Sequence, residues 1–91
     1  MKSDQFLMND LKDYLLGRIV WLAQQTNKHA YYGDSLKAVE YMTRMQEVTV
    51  VLDYMNVELN VKTAVNEYGL KEIEYIEDED GNAIFPIEEA F

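Results

Sequence analysis

The first third of the chain carries apolar residues at helical spacing. They recur at steps of three or four, with charged residues between them: Leu7, Met8, Leu11, Leu15, Ile19 and Leu22. Because residues three and four apart share one face of an α-helix, this spacing predicts an amphipathic helix over residues 6–22. Residues 26–33 lack such a period and end in Gly33, which predicts a loop.

A second apolar stripe follows that loop. Its members keep the same steps: Leu36, Val39, Met42, Met45, Val48, Leu52, Met55 and Leu59. Asp34 precedes the stripe as a favourable N-cap. We predict a long second helix from Asp34 to Tyr68, either continuous or broken near Asn56.

The segment 57–68 fits two interpretations. Apolar Val57, Leu59 and Val61 alternate with polar residues, the pattern of a strand. A helix is favoured instead by the i,i+4 pair of Glu58 and Lys62, and by Gly69, which suits a helix C-terminus. The sequence leaves the choice open.

Residues 70–91 form two β-prone runs on either side of Asp80-Gly81. This dipeptide favours a tight turn between antiparallel strands, and Pro86 suits an edge strand. An isolated hairpin is only marginally stable, so this one should pack on the helices. The predicted fold class is therefore mainly α: an antiparallel helical hairpin with a long second helix and a short C-terminal β-hairpin, in one domain of residues 1–91.

The two apolar stripes are expected to form the core. We predict contacts between two sets of residues: Leu11, Leu15, Ile19 and Leu22 on the first helix, and Val39, Met42, Met45 and Leu52 on the second.

The composition is that of one small folded domain. The 91 residues are 48% hydrophobic and include no cysteine. A chain without thiols has neither disulfides nor cysteine metal sites, which favours a reducing compartment, and we expect the cytoplasm. The sequence has no apolar run of 18 residues, so no membrane span is expected.

The net charge of −9 is unevenly distributed. Residues 1–33 carry +1, residues 34–69 carry −3 and residues 70–91 carry −7. Such a chain is repelled by nucleic-acid backbones and anionic membranes, and it is attracted to basic protein surfaces. A protein partner with a basic surface is therefore expected, without direct nucleic-acid binding.

Catalytic and cofactor motifs are missing from the sequence. His29 is the sole histidine, the serines are Ser3 and Ser35, and the glycines are isolated, so neither a nucleophile–base set nor a phosphate-binding loop can be assembled. An EF-hand placed on Gly81 would need acids where Ile76 and Ile87 stand. We expect no enzyme, no cofactor and no metal.

The C-terminal third supplies the candidate partner-binding residues. On a strand, Glu72 and Glu74 would face the same way about 6.6 Å apart. Aromatic residues between or beyond such acids favour an interface. The candidates are Glu72, Glu74, Tyr75, Glu77, Asp78, Glu79, Asp80, Phe85 and Phe91. The alternative is that the acids form a turn and keep the chain soluble, and that the aromatics cover the core.

Two functional hypotheses follow. In size, charge and lack of catalytic residues, the chain resembles the small acidic proteins with which phages and mobile elements block host enzymes. That resemblance implies a non-catalytic inhibitor occupying a basic, nucleic-acid-binding surface of a host protein. The alternative is a homo-oligomeric structural or adaptor subunit in which the second helix pairs with its copy.

Overall fold

Two helices are followed by a three-stranded antiparallel sheet. A computed structural model of the chain describes the backbone of residues 2–86 and the side chains of residues 9–86. Its elements are α1 (Lys2–Tyr31), α2 (Ser35–Tyr54), β1 (Asn60–Val65), β2 (Lys71–Glu77) and β3 (Ala83–Phe85). The strand order is β1-β2-β3, with β2 in the centre. The mainly helical character with a C-terminal β segment agrees with the prediction.

Helix α1 continues well beyond residue 22, so most of the predicted loop at residues 26–33 is helical. Thr26 and Ala30 are fully buried, and the Thr26 hydroxyl donates to the Leu22 carbonyl at 2.8 Å. The Asn27 amide group bonds the backbone of Ile73 in β2. These small and polar residues therefore face the core and the sheet, although they lack the apolar period of a helix.

Helix α2 is shorter than predicted. The Asp34 carboxylate accepts a hydrogen bond from the Lys37 N–H at 3.3 Å, which confirms the N-cap. The helix ends at Tyr54, and Asn56 adopts a φ of +62°, a left-handed conformation that asparagine tolerates better than most residues. The break near Asn56 is confirmed. The chain does not return to a helix, however, because residues 60–65 form β1.

The core lies between α1, α2 and the inner face of the sheet. Helix α2 contributes Ala38, Met45 and Leu52, which are spaced seven residues apart. Helix α1 contributes Ile19, Leu22 and Ala23, and the sheet contributes Ile73, Ile76 and Phe85. The predicted pairing was wrong for Leu11 and Val39, which are 46% and 59% exposed, because the true contact stripes are rotated away from them.

A β-bulge sets which residues of β2 face the core. Lys62 pairs with Tyr75 and the next residue, Thr63, pairs with Ile73, so Glu74 is an extra residue on β2. Alternation alone would put Ile73 and Ile76 on opposite faces. The extra residue restores both to the inner face, where both are buried.

Candidate protein-binding surface

The sheet face away from the core gathers the predicted acids of β2. Since Ile73 and Ile76 point inward, the pleat turns Glu72, Tyr75 and Glu77 outward. Their partners on β1 are Ala64, Lys62 and Asn60 respectively. The register therefore brings these three predicted residues together on one face.

Glu74 occupies the bulge and is exposed. Alternation is kept from Glu72 through Ile73 to Glu74, and the bulge breaks it between Glu74 and Tyr75, so Glu74 lies on the same outer face as Glu72 and Tyr75. The Glu74 carboxylate lies 3.7 Å from the Lys62 ammonium, which itself lies 5.8 Å from the centre of the Tyr75 ring. Lys62 therefore covers Tyr75 and offsets one of the acids.

The turn after β2 is built around Asp78. Its Oδ1 accepts from the backbone N–H groups of Asp80 and Asn82, both at 2.9 Å, and Gly81 has a φ of +84°. The Asn82 N–H is the main cause that lowers the pKa of Asp78, outweighing partial burial, which raises it. Asp78 thus organises the turn, which leaves Glu79 and Asp80 exposed.

The Asp78 carboxyl group is expected to titrate below its ordinary value of 3.8 in the folded protein. Because the pKa of Asp78 is lowered in the folded protein, its ionised carboxylate stabilises the turn above pH 3.8. This stabilisation is lost as the pH falls through the lowered pKa. The carboxyl carbon shift of Asp78, followed by NMR from pH 7 to pH 2, measures the midpoint. A midpoint at or above 3.8 would contradict the turn geometry.

Sequence reasoning missed Glu58, which it assigned to a helix. Glu58 lines a cleft of about 320 Å³ together with Asn60, Glu77, Asp78 and Glu79. We define the acidic surface by seven residues: Glu58, Glu72, Glu74, Glu77, Asp78, Glu79 and Asp80. The sequence carried a signal for this position, because Glu58 stands between apolar Val57 and Leu59 in the alternating pattern of a strand. The i,i+4 pair of Glu58 with Lys62, which favours a helix, obscured that signal.

Of the two predicted phenylalanines, the structure describes Phe85, which does not join this surface. Phe85 is 7% exposed and packs in the core, so its assignment as an interface anchor was wrong. Phe85 pairs with Ile76 on β2, which directs its ring inward. Phe91 lies outside the described residues.

An aromatic ladder that the sequence did not reveal joins the helices on another face. Trp21 packs edge-on against Tyr41 at 5.7 Å, Tyr41 stacks on His29 at 5.5 Å, and Arg18 lies 4.9 Å from the Trp21 ring centre. Arg18 and Asn27 are nine residues apart on α1. This spacing is about two and a half helical turns, so the two side chains point to opposite sides of the helix. Since Asn27 faces the sheet, Arg18 faces away from it.

The described side chains hold no candidate metal cluster and no unsatisfied buried polar atom. Among the side chains of residues 9–86, no group of three or more His, Cys, Asp or Glu could hold a metal ion. In the same part of the chain, every buried side-chain nitrogen or oxygen has a hydrogen-bond partner. Neither helix, over the residues described, has a stretch long and apolar enough to cross a membrane.

In comparisons with known proteins, no family model matches this chain, and no curated protein and no solved structure matches it significantly.

Proposed function

We propose that this chain is a non-catalytic protein-binding module whose acidic surface occupies a basic surface of a partner protein. The observation that supports this proposal is the placement of seven carboxylates on the outer sheet face, in the adjoining turn and just before β1, with Lys62 and Lys12 beside them. Tyr75 lies between these acids and supplies an aromatic contact.

The proposal assigns separate roles to charge and contact. The field of the acidic surface accelerates the encounter with a basic partner, and the ring of Tyr75 then contributes to the bound state. Within this proposal, the acidic surface competes with nucleic acid for the partner's groove, as an inhibitor of the phage or mobile-element type would. The chain without cysteines suits an encounter in the cytoplasm.

Removing three charges from the sheet face should weaken binding selectively. We expect the triple variant Glu72→Gln, Glu74→Gln, Glu77→Gln to bind a Lys/Arg-rich synthetic peptide roughly tenfold more weakly, since each exposed ion pair contributes up to about 1 kcal/mol. The matched control, Asp10→Asn, Asp13→Asn, Glu67→Gln, removes the same charge from exposed positions elsewhere. Calorimetry measures the affinity of both variants for the peptide, at low salt and at about 0.15 M salt, where the Debye length is roughly 8 Å.

The same pair of variants tests natural partners. Proteins retained from a host lysate by the wild type and the control, but released by the sheet-face variant, would support the proposal. Equal weakening by both variants would show that net charge acts alone, and unchanged binding by the sheet-face variant would contradict the proposal.

A further inference from the structure

Helix α2 carries a second stripe on the side opposite its buried residues. Residues 36, 39, 43, 46 and 50 keep steps of three and four, carry no charge and are exposed. Tyr54, 87% exposed, extends the row. We define the α2 stripe by its members: Leu36, Val39, Thr43, Gln46, Val50 and Tyr54. It spans about 27 Å at 1.5 Å per residue.

Charged side chains border this stripe on both sides. Glu40, Arg44 and Glu47 lie along one border, and Asp53 lies on the other. Leu36 is 80% exposed, and Val39 and Val50 are 59% and 54% exposed. A continuous uncharged row in a chain of charge −9 is a surface on which a second acidic molecule can pack without direct repulsion.

We infer that the α2 stripe is the interface of a two-fold symmetric, antiparallel dimer of this chain. The stripe is self-complementary about a point between residues 44 and 45. An antiparallel second copy places its Val50 against Val39 and its Gln46 against Thr43, with its Tyr54 beside Leu36. Apolar residues thus face apolar residues, and uncharged polar residues face uncharged polar residues. This is the self-complementarity that an isologous interface requires.

The clefts beside α2 favour the same orientation through charge. At one end, a cleft of about 320 Å³ separates Val39, Met42 and Gln46 from the turn at residues 69–71. Of the described residues that line this cleft, Lys71 carries the charge. At the other end, Val50 borders a cleft of about 400 Å³ that contains Asp53 and Glu58.

Antiparallel packing brings the cationic end of one copy to the anionic end of the other, and symmetry repeats the contact. A parallel pair would instead gather both copies of Asp53 and Glu58 at one end, with like charges together. The helix dipoles also favour the antiparallel arrangement.

The dimer contact shares Glu58 with the acidic surface, whereas the α2 stripe itself lies outside that surface, so the dimer and the proposed function are tested by different variants. Each dimer would present two acidic surfaces, which permits bivalent binding of a partner with repeated basic sites.

The dependence of the protein's mass in solution on its concentration tests the proposed dimer. In sedimentation velocity, the mass of the wild type should rise from 10.7 kDa towards twice that value between about 1 and 500 μM, the range in which weak homodimers assemble. The variant Val39→Lys, Val50→Lys places like charges against each other in the two Val39–Val50 layers and should weaken dimerisation at least about 100-fold. Both residues are exposed, so its helicity by circular dichroism should match the wild type.

Tyr14→Lys is the control, because Tyr14 is 64% exposed on α1 and lies off the stripe. A wild type that stays monomeric throughout, or a dimer that survives both lysines, overturns the proposal. Equal loss in the control would overturn the assignment to the stripe.

Disulfide formation tests the orientation, since the natural chain has no cysteine. A mixture of Val39→Cys and Val50→Cys chains should oxidise to the mixed dimer. Leu36→Cys alone should form no disulfide-linked dimer, because antiparallel packing holds the two copies of residue 36 about 26 Å apart along the helix. Efficient cross-linking of Leu36→Cys would overturn the antiparallel register.

Discussion

Replacing Leu22 with alanine is expected to lower the free energy of unfolding by about 2–5 kcal/mol. Leu22 belongs to α1 and is fully buried in the core cluster, so truncation loses its contacts and leaves a cavity. A domain of this size has roughly 5–15 kcal/mol of stability, so the loss is a large share of the total. The thermal midpoint should fall by about 10 °C or more.

The same substitution at two other positions of α1 supplies matched controls. Leu11 is 46% exposed, so Leu11→Ala should change stability by no more than about 0.5 kcal/mol. Leu15 is half-buried against the core, so Leu15→Ala should give an intermediate loss. Urea unfolding of the three variants checks this order. Equal losses at Leu11 and Leu22 would contradict the burial of the α1 face.

The sequence predicts both helices because their apolar residues keep a helical period. It does not predict where α1 ends, since Thr26 and Ala30 are too small or polar to extend the apolar stripe. The helix continues there because its small residues allow close packing and its polar groups are satisfied. Ile73, the partner of Asn27, comes from a distant part of the chain, which the local pattern does not contain.

The segment after Asn56 shows how two local signals compete. The i,i+4 pair of Glu58 and Lys62 contributes only a few tenths of a kcal/mol to a helix. The strand instead lets Val61 pair with Ile76 and half-buries it beside the core. Burial of apolar surface outweighs the surface ion pair, so alternation was the better signal here.

The acidic surface could be predicted from charge, but its arrangement could not. The position of Glu74 in the bulge depends on the register between β1 and β2, which side-chain alternation does not encode. Phe85 was assigned to the surface because aromatics near a chain end often anchor interfaces. Its pairing with Ile76 assigns it to the core instead.

Replacing Asn27 with alanine is expected to cost about 2–4 kcal/mol, since a buried polar group left without a partner costs about 1–3 kcal/mol. The Asn27 Nδ2 group donates to the Ile73 carbonyl at 2.9 Å, and its Oδ1 accepts from the Ile73 N–H at 2.6 Å. Among the described residues, β3 pairs with Ile76 and Glu77 of β2. The asparagine side chain instead satisfies the backbone N–H and carbonyl of Ile73.

Hydrogen exchange distinguishes this role of Asn27 from a general packing effect. In Asn27→Ala, the Ile73 amide should exchange faster than expected from the global loss of stability, because its acceptor is gone. Gln24→Ala is the control, since Gln24 is an exposed amide on the same helix. Stability and Ile73 protection that are unchanged in Asn27→Ala would show that α1 and β2 are held together by apolar packing alone.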